Sequence, residues 1–166
     1  MRSMAVTIEP IAGPDWPAVY PIFTRIVEAG ETYAYPLGLS SEQARELWVM
    51  SPPGHTVVAK DGERLVGTAS MGPNRPGRGA HIATASFMVD PDVHGRGVGR
   101  ALGEYVVEWA ERAGYHGIQF NAVVETNIAA VTLWQALGFD IIGTVPDAFD
   151  HATHGLVGLH VMYRRL

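Results

Sequence analysis

Residues 89–102 read VDPDVHGRGVGRAL and join an apolar strand pattern to an amphipathic helix pattern. Gly95, Gly97 and Gly99 lie within five positions, and residues without a Cβ let the backbone approach a ligand closely. The helix that follows begins with unpaired N–H groups and the positive end of its dipole. This strand-to-helix turn therefore predicts a binding site for an anion such as a phosphate or pyrophosphate.

Charge around the turn favours the same kind of ligand. The chain carries a formal net charge of −5, yet residues 75–100 hold four arginines against two aspartates, a local excess of +2. The charged residues of this segment are Arg75, Arg78, Arg96, Arg100, Asp90 and Asp92.

Three interpretations of the turn compete. A dinucleotide fingerprint needs a third Gly or Ala, but Gly95-x-Gly97 is followed at that position by Arg100, and Gly97-x-Gly99 by Leu102. No acidic residue ends the next predicted strand, where a ribose partner would lie. A second interpretation is that the glycines only make a tight turn. The third, which we favour, is a site for the pyrophosphate of coenzyme A.

The composition is that of a globular chain and excludes several classes of protein. With 166 residues, of which 47% are hydrophobic and 17% charged, the sequence predicts a single domain over residues 1–166. Lys60 is the only lysine and is followed by Asp61, which excludes the Gly-Lys-Ser/Thr of a phosphate-loop NTPase. Because the chain has no cysteine, disulfides, cysteine-ligated zinc and a cysteine nucleophile are excluded as well.

Charge and hydropathy also predict the partners and the compartment. An acidic chain without a long basic run is a poor nucleic-acid binder. No apolar stretch approaches the 18 residues of a membrane span, and Met1-Arg2-Ser3-Met4 leads into a strand pattern, not a signal core. We therefore expect a cytoplasmic protein that binds neither nucleic acid nor membrane.

Hydrophobic periodicity and turn residues predict one α/β arrangement. Ser40 and Gln43 fit a capping box, and Asp61-Gly62 is a strong hairpin signal. An irregular stretch is expected at residues 146–154. The predicted strands are residues 4–11, 55–60, 65–71, 82–89, 117–124, 139–145 and 156–164. The predicted helices are residues 14–30 and 40–50, a helix that follows the glycine turn and ends at about residue 112, and residues 128–137.

Two motifs in this order resemble a known family. Val89-x-Pro91-x-x-His94-Gly95-x-Gly97-x-Gly99 resembles the acyl-CoA signature of the GCN5-related N-acetyltransferases, or GNAT family. Asn127-x-x-Ala130-x-x-Leu133-Trp134-x-x-Leu137-Gly138-Phe139 is similar to the second motif of that family. The resemblance implies an acetyl-CoA-dependent N-acetyltransferase of α/β class (α+β in some schemes). Its GNAT fold would have a mixed, mostly antiparallel sheet of about six to seven strands, flanked by about four helices.

The chain departs from the family pattern at two positions. His94 stands where the family usually has Gln or Arg, which matters little if the turn binds through backbone N–H groups. Trp134 stands where many members have a Tyr that is a proposed general acid for the departing CoA thiolate. An indole N–H cannot transfer its proton to a thiolate at neutral pH.

A narrower resemblance is to the yeast acetyltransferases that detoxify the proline analogue azetidine-2-carboxylate. The matching runs are His81-x-x-Thr84-Ala85-x-Phe87-x-Val89, Phe120-Asn121-x-Val123-x-x-Thr126-Asn127 and Gly143-x-Val145-Pro146-x-Ala148. In that group two Asn side chains hold the acceptor carboxylate. One matches Asn121, and the position of the other is Thr84 here, whose hydroxyl donates a single hydrogen bond.

The resemblance implies a set of site residues. The central strands would separate after Phe87–Val89, leaving there an unpaired backbone N–H that polarises the thioester, with pantetheine running alongside the strand. Phe87 and Asn127 are therefore the predicted catalytic residues. The predicted cofactor-binding residues are Met88, Val89, His94, Gly95, Arg96, Gly97, Val98, Gly99, Arg100, Ala101, Asn127 and Trp134.

Several side chains have both a functional and a structural interpretation. Asn127 precedes an apolar helix pattern and could be only its N-cap. Asn121 lies in an apolar strand, where a buried amide must be hydrogen-bonded to substrate or to a neighbouring loop. Tyr33 and Tyr35 lie in a loop that covers the acceptor cleft in the family, or they cap the core. We predict that Thr84, Asn121, Tyr33 and Tyr35 bind substrate.

Other polar groups are weaker candidates. Glu125 and His81 are the best sequence candidates for a general base. His151-x-x-His154, with Asp147 and Asp150 nearby, could suggest a metal, but a polar surface loop is the favoured interpretation and no metal is predicted. Val157, Leu159 and Val161 alternate on the last strand and would permit either packing or a dimer edge.

The prediction is an acetyl-CoA-dependent N-acetyltransferase that acts on a small amine, by direct attack in a ternary complex. Amino acids or proline analogues are the favoured acceptors, and a homodimer is the family expectation. An alternative acceptor is another small amine of herbicide or antibiotic type. A non-catalytic acyl-CoA-binding module is the alternative of a different class.

Overall fold

The computed structural model describes residues 3–166, so Met1 and Arg2 of the predicted start lie outside the described residues. Seven strands form one sheet in the order β1-β2-β3-β4-β5-β7-β6, with four α-helices packed on it. The elements are β1 (Thr7–Pro10), α1 (Trp16–Ala29), α2 (Ser41–Trp48), β2 (His55–Asp61), β3 (Arg64–Pro73), β4 (Ile82–Val89), α3 (Val98–Arg112), β5 (Gly117–Val124), α4 (Ile128–Ala136), β6 (Asp140–His151) and β7 (Gly155–Arg165).

The sheet is mixed and mostly antiparallel, which confirms the expected fold class. Among the strand pairs within residues 3–166, only β4 and β5 run parallel, and they pair at just two positions, Ile82 with Gly117 and Ala83 with Ile118. Beyond these pairs the two strands separate, while β4 stays paired with β3 up to Val89. The separation opens a cleft at the centre of the sheet.

Strand alternation divides the buried side chains between two layers. Val57 faces a core that includes Leu102 and Ile118 beneath α3, whereas its neighbour Val58 faces a second core with Phe23 and Trp48 of α1 and α2. Successive strand residues point to opposite faces, so both faces of β2 are covered. The sheet is therefore sandwiched between two helical layers, which leaves its split centre as the deep cleft.

Helix α1 ends and helix α2 begins at the residues that the sequence predicts. Ser40 Oγ accepts the Gln43 N–H at 3.1 Å, and Gln43 Oε1 accepts the Ser40 N–H at 2.9 Å, so the capping box is confirmed. Gly30 ends α1 with a φ of +67°, a conformation that favours glycine. The Gly30 carbonyl accepts the Ala152 N–H at 2.9 Å, which ties the end of α1 to the β6–β7 turn.

The irregular stretch expected at residues 146–154 is wrong for residues 146–151, and only residues 152–154 form a turn between strands. Strand β6 continues through Pro146 to His151, with a register shift between Val145 and Phe149 and a φ of +55° at Asp147. Because β6 is an edge strand, Pro146 withholds no N–H that a neighbour requires, and the bulge absorbs the irregularity.

The His151 side chain closes the β6–β7 turn. Its Nδ1 accepts the N–H groups of Thr153 at 3.1 Å and His154 at 3.2 Å. Within residues 3–166 no group of three or more His, Cys, Asp or Glu side chains is arranged to hold a metal ion. His151 and His154 therefore lie at the end of the β6–β7 hairpin. The sequence analysis favoured a polar surface loop at this position.

The last strand in sequence is not the edge of the sheet. β7 lies between β5 and β6, so Val157 packs inside against Val124 and Phe149. The expectation that β7 could be a dimer edge is thus wrong, since the edge strands of the described sheet are β1 and β6. No helix within residues 3–166 has the length and apolar character needed to cross a membrane.

Candidate functional site

The cleft between β4 and β5, the β4–β5 cleft, has a volume of about 930 Å³. It collects residues from distant parts of the chain, because the α1–α2 loop, both strands, the first turn of α3 and the start of α4 converge there. The sequence-predicted residues that line it are Tyr33, Tyr35, Thr84, Phe87, Met88, Val89, His94, Gly95, Gly97, Val98, Gly99, Arg100, Asn121, Asn127 and Trp134. Arg96 and Ala101 do not line it.

The glycine turn, residues 94–99, forms one end of the cleft. Gly95 and Gly97 have φ values of +79° and +87°, and Gly97 is the N-cap of α3. A Cβ on Gly95 would meet no atom within 4 Å, so open space surrounds this position of the turn. The first-turn N–H groups of α3 have no intrahelical partner, and they suit the oxygens of a pyrophosphate.

The arginines expected around the turn do not gather in the cleft. Arg75 and Arg78 lie in the β3–β4 connection and do not line it. Arg25, which lines the cleft, is paired with Asp92 at 3.1 Å, and Arg100 with Glu104 at 2.9 Å. The local charge excess in the sequence is thus dispersed in space, and the helix N-terminus is the main positive feature of the turn.

Phe87 presents its backbone to the cleft while its ring packs inside. The ring lies 4.5 Å from that of Trp134 and 5.6 Å from that of Phe120, measured between centroids. Asp90 donates its N–H to Val66 of β3 at 2.8 Å, and N–H directions alternate along a strand. The N–H groups of Phe87 and Val89 therefore point away from β3, into the cleft.

The Phe87 N–H is not unpaired, contrary to the sequence expectation. It donates to the Tyr33 hydroxyl at 2.7 Å, and that hydroxyl donates to the Phe87 carbonyl at 2.6 Å. Burial raises the pKa of the Tyr33 phenol far above its ordinary value. The physical reason for the contact is that a buried hydroxyl and an exposed strand edge each need a partner.

Tyr33 and Tyr35 form an aromatic wall over the cleft. Their rings are stacked with centroids 5.8 Å apart, and Tyr35 also lies 5.2 Å from Phe23. Burial raises the pKa of the Tyr35 phenol as well. The two interpretations offered for these residues thus hold together, because the rings join the α1–α2 core and also line the cleft.

Asn121 is exposed, which corrects the expectation of a buried strand amide. Its Nδ2 donates to Asn74 Oδ1 at 2.7 Å, and its Oδ1 accepts the Gln119 amide at 2.9 Å. Because β5 leaves β4 just before this position, the side chain faces open space and not a neighbouring strand. Asn121 and the half-buried Thr84 lie on facing strands of the cleft.

Asn127 is the N-cap of α4 and also lines the cleft. Its Oδ1 accepts the Ala130 N–H at 3.3 Å, as expected for a cap. Trp134, about two helical turns further on, is 6% exposed and forms the wall behind Phe87. The indole is part of the aromatic core and offers no hydroxyl to the cleft.

Neither sequence candidate for a general base lines the cleft. Glu125 Oε1 accepts the Gly158 N–H at 2.7 Å and so links β5 to β7. His81 lies at the start of β4, with its ring 6.2 Å from that of His116. Among the residues that the structure describes, Glu31 is the only acidic side chain lining the cleft. Its position two residues before Tyr33 in the predicted aromatic loop was the signal that could have identified it.

Comparisons with known proteins agree on one family. A model of the Acetyltransferase (GNAT) family matches residues 16–139. N-acetyltransferase aca1 of Schizosaccharomyces pombe is 31% identical over 137 residues, covering 74% of this chain and 66% of the relative. An L-methionine sulfoximine/L-methionine sulfone acetyltransferase of Pseudomonas aeruginosa is 30% identical over 152 residues, covering 86% of this chain and 85% of the relative.

A solved structure is similar over nearly the whole chain. The GCN5-related N-acetyltransferase from Kribbella flavida superposes with a TM-score of 0.95 at 57% identity and covers 98% of both chains. Several curated relatives are longer proteins, and this chain spans 66% or less of the first four of them. The family model, these relatives and the cleft geometry agree, and the chain belongs to the GNAT family of acetyltransferases.

Proposed function

We propose that this protein is an acetyl-CoA-dependent N-acetyltransferase for small-molecule amines. The observation that carries the proposal is the glycine turn at the N-terminus of α3, which opens onto the gap between β4 and β5. An elongated ligand with a phosphate end fits this arrangement, because the turn offers N–H groups and the gap offers a free strand edge.

The residues present fit coenzyme A. N–H groups of Gly95 and of residues 97–100 would hold the pyrophosphate, and the free strand edge at Val89 would pair with pantetheine. Asn127 and Trp134 would form the opposite wall. Acetyl-CoA supplies an activated acetyl group as a thioester.

The chemistry requires a neutral amine, a donor for the developing oxyanion and a proton route. The amine nitrogen bonds to the thioester carbon, the C–S bond breaks with its electron pair going to sulfur, and the thiolate takes up the proton that the nitrogen loses. The backbone N–H of Phe87 would polarise the carbonyl oxygen. Glu31 at the cleft wall would attract a cationic amine and accept its proton. Positioning supplies much of the rate, and no covalent enzyme intermediate is needed.

We propose amino acids and their analogues as the favoured acceptors. Thr84 and Asn121 offer a hydroxyl and an amide on facing strands of the cleft, and both can donate hydrogen bonds to a carboxylate. The Pseudomonas aeruginosa relative is named for acetylation of two methionine analogues and matches along most of both chains.

Thiol release from acetyl-CoA across an amine panel tests the activity. The panel contains L-methionine sulfoximine, L-methionine sulfone, azetidine-2-carboxylate, unmodified amino acids, spermidine and a short peptide. Saturable release with an amino-acid analogue supports the proposal. Tight CoA binding without turnover of any amine would favour a non-catalytic acyl-CoA-binding module instead.

The pyrophosphate assignment has a separate test in Gly97→Asp. A negative charge at the turn should weaken CoA binding at least about tenfold, since like charges repel strongly at short range near a protein surface. Gly114→Asp is the matched control, because Gly114 has a similar φ of +84°, has open space around it and lies beyond the other end of α3. Equal CoA affinity in both folded variants would contradict the assignment.

We further propose that the protein acts in the cytoplasm as a homodimer. The edge strand β6 supports the dimer, since Ile142 and Val145 are exposed apolar residues on a strand with one unpaired side.

A further inference from the structure

Tyr33 takes the place of a strand partner where β4 and β5 part. Its hydroxyl accepts the Phe87 N–H at 2.7 Å and donates to the Phe87 carbonyl at 2.6 Å. β5 bonds β4 only as far as Ala83 and its partner, so Phe87 lies beyond the last paired position. A single phenol therefore satisfies both backbone groups of the residue that faces the reacting end of the cleft.

We propose that Tyr33 is a second hydrogen-bond donor to the thioester oxygen, acting together with the Phe87 N–H. The inference rests on the proposed function, in which that N–H binds the oxygen. A thioester oxygen that accepts the Phe87 N–H must enter the position that the Tyr33 phenol oxygen now occupies. The displaced phenol loses the Phe87 N–H as its donor, and its single O–H turns from the Phe87 carbonyl to the incoming oxygen.

The surroundings of Tyr33 suit a neutral donor. Its ring stacks on Tyr35 and meets the edge of Trp48 at a centroid distance of 6.5 Å and an angle of 89°. Burial raises the pKa of the phenol, so the proton stays on the oxygen at neutral pH. A hydroxyl held in a water-poor site stabilises a developing oxyanion more than water does.

The loop that carries Tyr33 is held at both ends. The Gly30 carbonyl accepts the Ala152 N–H at 2.9 Å, and the Leu39 carbonyl accepts the Tyr20 hydroxyl at 2.7 Å. These two bonds restrict the movement of the loop. The Tyr33 phenol can therefore release the Phe87 N–H to a ligand and still stay next to it. Trp134 of α4 has no hydroxyl, which leaves Tyr33 as the phenol nearest Phe87 among the described contacts.

The test compares Tyr33→Phe with Tyr20→Phe. Both variants lose one phenol oxygen that bonds a backbone carbonyl, but Tyr20 contacts the far end of the loop and does not line the cleft. Tyr33→Phe should lower kcat about 100-fold, the usual loss for one oxyanion donor, without raising the Kd of acetyl-CoA. Tyr20→Phe should retain the kcat of the parent.

A spectroscopic readout decides the role without turnover. The infrared carbonyl stretch of bound acetyl-CoA, labelled with ¹³C at the carbonyl, should lie at lower frequency in the parent and in Tyr20→Phe than in Tyr33→Phe. An identical stretch in all three proteins, or a higher kcat in Tyr33→Phe, would overturn the proposal and leave Tyr33 as a plug of the free cleft. If no amine is acetylated, the proposed function fails, while the carbonyl stretch still decides the role of Tyr33.

Discussion

At the scale of single residues, two glutamates near the end of the cleft differ in what they contact. Glu31 lines the cleft and is exposed, whereas the Glu125 carboxylate bonds the Gly158 N–H and lies outside the cleft. A proton acceptor must reach the amine that it deprotonates, so geometry favours Glu31.

Isosteric amide variants should separate these two roles. Glu31→Gln should lower kcat/KM for the amine about 100-fold, the low end for loss of a general base, and leave CoA affinity unchanged. Glu125→Gln keeps an oxygen that can accept the Gly158 N–H, so it should retain the kcat/KM of the parent. The reverse order of effects, measured by thiol release, would place the base at Glu125.

The sequence predicts the placement of residues that belong to local patterns and motifs, but it does not predict side-chain contacts between distant parts of the chain. The three glycines, Phe87 and the Asn127 cap all lie where local patterns and family motifs predict them. The bond between Tyr33 and Phe87 joins residues 54 positions apart, and no local pattern reports such a contact. Asn121 was predicted to be buried because its strand is apolar, but the parting of β4 and β5 exposes it.

At the scale of elements, β2 and α3 enclose a histidine whose titration affects stability. His55 stacks on Trp109 with centroids 6.4 Å apart, and its Nε2 lies 3.1 Å from the Tyr105 hydroxyl. Burial lowers the pKa of His55 below its ordinary value of 6.5. The folded state therefore resists protonation of this ring more than the unfolded state does.

The sign of the pH effect follows from linkage. Because the unfolded chain binds the proton more readily, this contribution to stability is present above pH 6.5 and is lost as the pH falls below it. The free energy of unfolding in urea should drop less between pH 7.5 and pH 5.0 in His55→Gln than in the parent. His116→Gln removes an exposed imidazole as a control. An equal drop in the parent and in His55→Gln would contradict the prediction.

Two strands of the central sheet were predicted to the residue, whereas the strand with conflicting local signals was predicted too short. The sequence predicts strands at residues 82–89 and 117–124, and β4 and β5 have these bounds. β6 was predicted to stop at residue 145, because a proline next to an aspartate reads as a break. Pairing with β7 carries the strand on to His151, since tertiary contacts override a weak local preference.

At the scale of the whole molecule, the sheet order places β6 at an open edge. Pattern alone could predict neither which strand lies outermost nor that β7 is inserted between β5 and β6, because strand order depends on long-range pairing. An exposed apolar edge strand is a common surface for pairing with a second chain.

The proposed homodimer predicts a specific effect of Ile142→Asp. Ile142 is 61% exposed on β6, so in a monomer the change should alter the free energy of unfolding by only about 0.5 kcal/mol. In a dimer that buries β6, a carboxylate there would lose its water, and dissociation should follow. Leu37→Asp is the matched control, because Leu37 is 71% exposed but lies in the α1–α2 loop. Light scattering after size exclusion measures the mass, and a parent that is already monomeric at micromolar concentration, or a variant that stays dimeric, would place the edge outside any interface.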